Sequence, residues 1–209
     1  MLRAKTRLSM PARFTAFSAD PITVARRLLG QRLVRVINGQ RLAGTIVEVE
    51  AYLGVDDAAA HTYRGRRTAR NAAMYLPGGH AYVYFTYGMH HCLNIVCGKA
   101  DEGVAVLLRA IHPTEGLKRM HRNRPSAKRE SDLCSGPAKL TQALAIDRSL
   151  NEIDMCASRS LFLERLRSRA LPPSRILSTR RIGVGYAQEW ADRPLRFLIK
   201  DTLWASRGR

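Results

Sequence analysis

Glu48 and Glu50 stand two residues apart in the stretch VEVEAYLGVDDAAAH, and Tyr52 follows at the same interval. On a strand, successive side chains alternate, so these three point one way while Val47, Val49 and Ala51 point the other. With the apolar side against a core, the opposite face presents two carboxylates and a phenol together. Carboxylates side by side on a half-buried face disfavour each other's charged form, which suits a general base that activates water. Either Glu taken alone is better explained by a salt bridge to Arg in so basic a chain; the company it keeps reverses that. About sixty residues, Val47 to Arg109, also hold His61, the tyrosine hairpin GGHAYVYFTYGMHHCLN and Arg109 after VAVLL. This inventory suits a pocket that grips a flat aromatic ring and brings a water to it.

The other readings of these residues are weaker. Tyr52, Tyr82, Tyr84 and Tyr87 are ordinary strand residues by preference, but in a basic protein they also serve to stack on nucleobases. His61, His80, His90 and His91 fit no common metal-ligand spacing. No P-loop, dinucleotide-binding glycine pattern or nucleophile elbow occurs. No metal and no cofactor is expected.

The elements that must position these groups are short. Asp20-Pro21 caps and opens a helix with Val24, Ala25 and Leu28 on one side, and Gly30 ends it. Asn38-Gly39 marks a tight hairpin turn, from which the Glu48–Glu50 strand returns over 41–52. An irregular polar loop over 54–70 follows, with Arg64, Arg66, Arg67 and Arg70. Gly78-Gly79 opens a second hairpin, with Tyr82, Tyr84 and Thr86 on one face, Gly88-Met89 at its tip and Asn94 in the returning strand. Val104 to Leu108 is a continuous apolar run and predicts a central strand buried on both faces. The basic segment 118–130 reads as a flexible loop after at most a short helix. A helix starts at Ser135-Gly136-Pro137 and another covers 159–167; the last strands lie near 180–185 and 195–200. Short strands and scattered helices without a βαβ rhythm predict an α+β fold, one compact domain on a curved, mainly antiparallel sheet with flanking helices.

Thirty-five Lys and Arg against 17 Asp and Glu leave a formal charge of +18. Such an excess repels itself in the compact state and marks proteins that bind a polyanion. The chain has no run of the roughly 18 apolar residues that a membrane-spanning helix needs, so no membrane partner is expected. Residues 1–15 read as a disordered basic arm and 16–209 as the single domain. Cys92, Cys97, Cys134 and Cys156 form no C-x-x-C pair and read as buried free thiols of a reducing compartment. A non-catalytic nucleic-acid-binding module would share the charge and the tyrosines. It would not place carboxylates on a face that meets phosphate.

The segments VEVEAYLGVDDAAAH, RTARN, GHAYVYFTYGMHHCLN, LLRA, LCSGPAKLTQALAID and RIGVGYAQEWADRPLRF together resemble the alkyladenine (3-methyladenine) DNA glycosylase family of base excision repair. The resemblance runs from about Asp20 to Trp204. It implies a metal-free hydrolase acting as a monomer on double-stranded DNA that contains damaged purines. By position, it implies Glu50 as the general base, with Arg109 and the backbone carbonyl of Ile182 orienting the water. Tyr52, His61 and Tyr84 correspond to the walls of the base pocket. Asn94 corresponds to the residue that crowds the exocyclic amine of guanine. Tyr87 corresponds to the wedge that fills the gap left by the flipped nucleotide, with Met89 beside it. No Lys in these segments is placed as an amine nucleophile, so simple hydrolysis to an abasic site is expected.

Overall fold

A computed structural model describes residues 12–86 and 88–206 of the chain. Its sheet is antiparallel throughout and has eight strands among these residues: β1 (Arg32–Ile37), β2 (Gln40–Tyr52), β3 (Ala81–Thr86), β4 (His90–Val96), β5 (Ala105–Glu115), β6 (Leu161–Glu164), β7 (Ile176–Thr179) and β8 (Arg196–Ile199). The order is β3-β4-β5-β2-β1-β6, and β8 pairs with both β2 and β7. The long strand β2 makes this possible. One edge follows β5, while the other pairs with β1 as far as Thr45 and with β8 over Glu48 to Glu50. Four α-helices among these residues flank the sheet: α1 (Pro21–Leu28), α2 (Leu117–Asn123), α3 (Glu130–Leu133) and α4 (Pro137–Ala143). The architecture is α+β, as the mixture of short elements predicts. No helix among the described residues is long and apolar enough to cross a membrane.

The local signals act as expected where they are strongest. Asp20 accepts the Thr23 N–H at 2.9 Å and caps α1, with Pro21 at its first position. Asn38 (φ 50°) and Gly39 (φ 75°) both take the left-handed conformation that joins β1 to β2, as a two-residue turn matched to the twist of its strands requires. β5 is the central strand predicted from its apolar run, lying between β4 and β2. α1 packs on β2, and α4 on β4 and β5.

Several expectations are corrected. The predicted helix over 159–167 is instead β6, which pairs with β1. Leu161 and Leu163 enter the main core, while Phe162 packs with Val34 and Ala43 on the other side. Burial on both faces thus erases the alternation that would have marked a strand. The strand expected near 180–185 lies earlier, at Ile176–Thr179, and 180–184 is an irregular connection. The basic 118–130 segment is not simply a loop. Met120 anchors α2 in the core, and the buried Arg124 donates to the Leu133 carbonyl at 2.9 Å and to Gln142 Oε1 at 3.1 Å. Residues 12–15 of the segment expected as a basic arm lie against the domain. Phe14 and Phe17 are both buried in edge contact at 5.2 Å, and the Phe14 N–H donates to the Leu163 carbonyl. Residues 1–11 lie outside the described part. All four cysteines are free, and Cys156 is part-exposed where burial was expected.

Candidate active site

Two bulges, back to back, build the site. β2 pairs Ile46 with Ile111 and then Glu48 with Ala110, so Val47 is an extra residue; β5 pairs Ala110 and then Leu108, so Arg109 is extra on its side. A bulged residue reverses the alternation of its strand. Before the bulge Leu42 and Ile46 face the core, and after it Val49 and Ala51 do. Val47 therefore does not share a core face with Val49 and Ala51, although it is buried. Glu48 and Glu50 still share a face, and the displaced Arg109 reaches both. Its Nε donates to Glu48 Oε1 at 2.9 Å and its Nη1 lies 3.0 Å from Glu50 Oε1. The two carboxylates are thus separated by a guanidinium rather than facing each other.

Their remaining partners distinguish them. Glu48 also accepts from Arg196 Nε at 2.7 Å and from the N–H and Oγ of Ser206. Glu50 accepts from the Ile182 N–H at 2.8 Å and from the Tyr52 hydroxyl at 3.0 Å. Tyr52, Arg109 and Ile182 all line one cavity of about 240 Å³. Glu50 is fully buried directly behind that wall, and Glu48 is tied to the opposite side. Burial and the neighbouring Glu50 charge raise the Tyr52 phenol well above its usual range, which keeps it a hydrogen-bond donor. Ile182 holds Glu50 through its N–H, a contact separate from the role on the water that the resemblance implies for its carbonyl.

The walls of the cavity are aromatic. Tyr84 meets His61 edge-on at 4.7 Å and stacks with Tyr82 at 5.2 Å. His61 Nδ1 lies 2.8 Å from the Tyr82 hydroxyl. Burial, together with the charges of Arg70 and Arg66, pushes the His61 imidazole down to about 4. His61 is therefore neutral at physiological pH, and it does not place a positive charge against an incoming ring. Asn94 completes the floor, its amide donating to the Tyr82 carbonyl at 3.3 Å. The volume is below the roughly 300–1,000 Å³ of pockets for drug-sized ligands, which suits a single planar ring system.

The second face of β2 to β5 is covered by the turns of 54–75 and by the connection 180–191. Met74 packs with Tyr82 and Ala105, and Val184 packs with Ala59 and against Tyr52. The cavity lies between these covers. What anchors the second cover is a pair that sequence reasoning missed. The fully buried side chains of Asp57 and Arg181 bond twice, at 2.6 and 2.8 Å, and Arg181 also donates to the Ala51 carbonyl. Nothing in the spacing of residues 57 and 181 announces it. Cys92 and Leu107, also overlooked, line the pocket.

The structure thus brings Glu50, Arg109, Ile182, Tyr52, His61, Tyr84 and Asn94 into one place. Met89 stands apart from the cavity wall. It is 69% exposed in the β3–β4 turn, and the neighbouring Thr86 reaches the cavity rim. Tyr87 lies outside the described residues.

The low His61 value has a measurable consequence. In the unfolded chain a His titrates near 6.5, so between about 6.5 and 4 the unfolded state binds a proton that the native state refuses. The stability attached to neutral His61 is complete above about pH 6.5 and is lost as pH falls towards 4. The melting temperature should fall more steeply across that window in the parent than in His61→Gln. Parallel curves would remove His61 from the account.

Comparison with known proteins shows the family of the chain. The family model described as methylpurine-DNA glycosylase matches residues 15–203. The DNA-3-methyladenine glycosylases of Mus musculus and Homo sapiens are each 43% identical over 91% of this chain. The chain spans 59% of the length of the first and 66% of the second. A relative from Natranaerobius thermophilus is 41% identical over 91% of this chain and 96% of its own length. With the match running through every element that builds the cavity, from α1 to β8, the chain belongs to the methylpurine-DNA glycosylase family.

Proposed function

We propose that the protein excises damaged purines from double-stranded DNA, as a monomer, by hydrolysing the N-glycosidic bond. The observation that carries this reading is the buried Glu50, held by three groups that themselves line an aromatic cavity. A base inside the duplex is out of reach, so it must be turned out of the stack into such a pocket. Tyr52 and Tyr84 receive it between electron-rich rings, which attract a purine made cationic by alkylation. Glu50 takes a proton from a water as its oxygen bonds to C1′, and the electron pair of the C1′–N bond leaves with the base. The carboxylate also stabilises the positive charge that develops on the sugar. Arg109 holds Glu50 in position. The exposed Met89, with Tyr87 before it, supplies the apolar wedge for the vacated stack. The charge of +18 supplies affinity for the phosphates. A non-catalytic binding module leaves the buried carboxylate and its donors without a purpose.

The test is incubation with duplexes that each carry one lesion, such as 3-methyladenine, 7-methylguanine, hypoxanthine or ethenoadenine, followed by alkaline cleavage of abasic sites. Cleavage at none of them would overturn the reading.

Asn94 sets a second expectation. Guanine differs from adenine in the amine at C2, and a side chain that crowds it rejects the base by a clash. Asn94→Ser should raise excision of guanine relative to hypoxanthine by about ten-fold, the lower range for one group in a pocket. A proportional loss on both, with a lower melting temperature, would reduce Asn94 to its bond with the Tyr82 carbonyl.

A further inference from the structure

Arg109 has three nitrogens, and each has its own acceptor. Nε donates to Glu48 Oε1 at 2.9 Å, Nη1 reaches Glu50 Oε1 at 3.0 Å, and Nη2 donates to Ser206 Oγ at 3.2 Å. A planar guanidinium is fully oriented by three such points. Two of them lie on the side away from the cavity, and Ser206 belongs to both. Its Oγ and N–H each donate to a different oxygen of Glu48, while its carbonyl accepts from Arg196 Nη2 at 3.2 Å. All its polar groups are thus engaged, at 8% exposure. The segment that carries it is seated by Trp204, whose ring stacks on His112 of β5 at 3.7 Å between centroids and 19° between planes. Ser206 also lies beyond the part of the chain that matches the family.

We infer that Ser206 is a positioning residue for the Arg109–Glu50 pair, the third anchor that keeps Arg109 Nη1 on Glu50. The inference rests on the reading of Glu50 as the base that activates water. Without the Ser206 hydroxyl, Nη2 loses its acceptor and Glu48 Oε1 loses a donor at the same time. Glu48 then draws a second N–H from Arg109, the guanidinium turns about Nε, and Nη1 leaves Glu50. Four charged groups, Glu48, Glu50, Arg109 and Arg196, share this buried cluster. A half-satisfied member is costly there, because burial leaves little solvent to replace the lost bond.

The test uses the full chain and single-turnover excision from a lesion duplex at saturating protein. Ser206→Ala should slow excision about ten-fold, the size of one lost hydrogen bond to a charged group, with lesion-DNA binding unchanged. Ser206→Thr keeps the hydroxyl and should restore the rate. In an Arg109→Ala background, Ser206→Ala should add little, because its effect runs through Arg109. Three results overturn the inference alone: Ser206→Ala excising at the parent rate, an equal loss in the Arg109→Ala background, or a loss matched by weaker binding. A parent protein that excises no damaged purine overturns this inference together with the enzymatic reading.

Discussion

Glu50→Gln should lower single-turnover excision by at least about 10²-fold, the lower range for loss of a general base, while binding to lesion DNA persists. The amide keeps the size of the side chain and an acceptor for the Ile182 N–H. In the proposed reaction it loses the capacity to take a proton from water and the negative charge that would face the developing positive sugar. Binding is expected to survive because Tyr52, Tyr84 and His61, which line the cavity and are proposed to contact the ring, keep their places after an isosteric change. Excision within a few-fold of the parent would exclude Glu50 as the base. Glu48 would not be an adequate substitute. Its oxygens are occupied by Arg109, Arg196 and Ser206, and only the first of these reaches the cavity.

The second large effect is on stability. Asp57→Ala leaves the Arg181 guanidinium, whose side chain is fully buried, without its bidentate partner. Removing one member of a buried ion pair typically costs about 3–5 kcal/mol, because the charge left behind is no longer compensated. In a protein of this length that corresponds to a fall in melting temperature of roughly 6–20 °C. The cost should also appear in catalysis, since Arg181 precedes the residue whose N–H holds Glu50. Replacing both partners with apolar residues, Asp57→Leu with Arg181→Met, should recover part of the stability, because no charge is then stranded. Thermal melts of the single and double variants decide the matter. A single variant within about 1 kcal/mol of the parent, far under the usual cost of breaking a buried pair, would show that the pair is solvated in solution.

The legible parts of this chain were those in which the physics is local. Asp20-Pro21 caps its helix, Asn38-Gly39 turns its hairpin, and Pro137 opens its helix, because capping and turn conformations depend on a few adjacent residues. The shared face of Glu48, Glu50 and Tyr52 was legible for the same reason, since β2 runs without a bulge of its own from Glu48 to Tyr52 and a two-residue spacing there keeps one face. Elements buried on both faces were not. β6 presents contiguous apolar residues, and periodicity cannot separate such a run from one side of a helix. α2 was hidden for the opposite reason: its basic residues mask the one side chain, Met120, that reaches the core.

The sequence by itself determined the α+β class, the large positive charge and the shared face of Glu48, Glu50 and Tyr52, because type and spacing suffice for these; His61, Asn94 and Ile182 were marked only by the resemblance of whole motifs. Only the tertiary structure decided how they act on one another. The paired bulges at Val47 and Arg109 depend on register between strands about sixty residues apart, and they put a guanidinium between two carboxylates that the sequence set side by side. The Asp57–Arg181 pair and the Ser206 anchor join residues 124 and 158 positions apart. Contacts at such separations carry no local signal. They arise when the sheet closes, water leaves, and each buried charge must find its partner among the groups that the fold brings within reach.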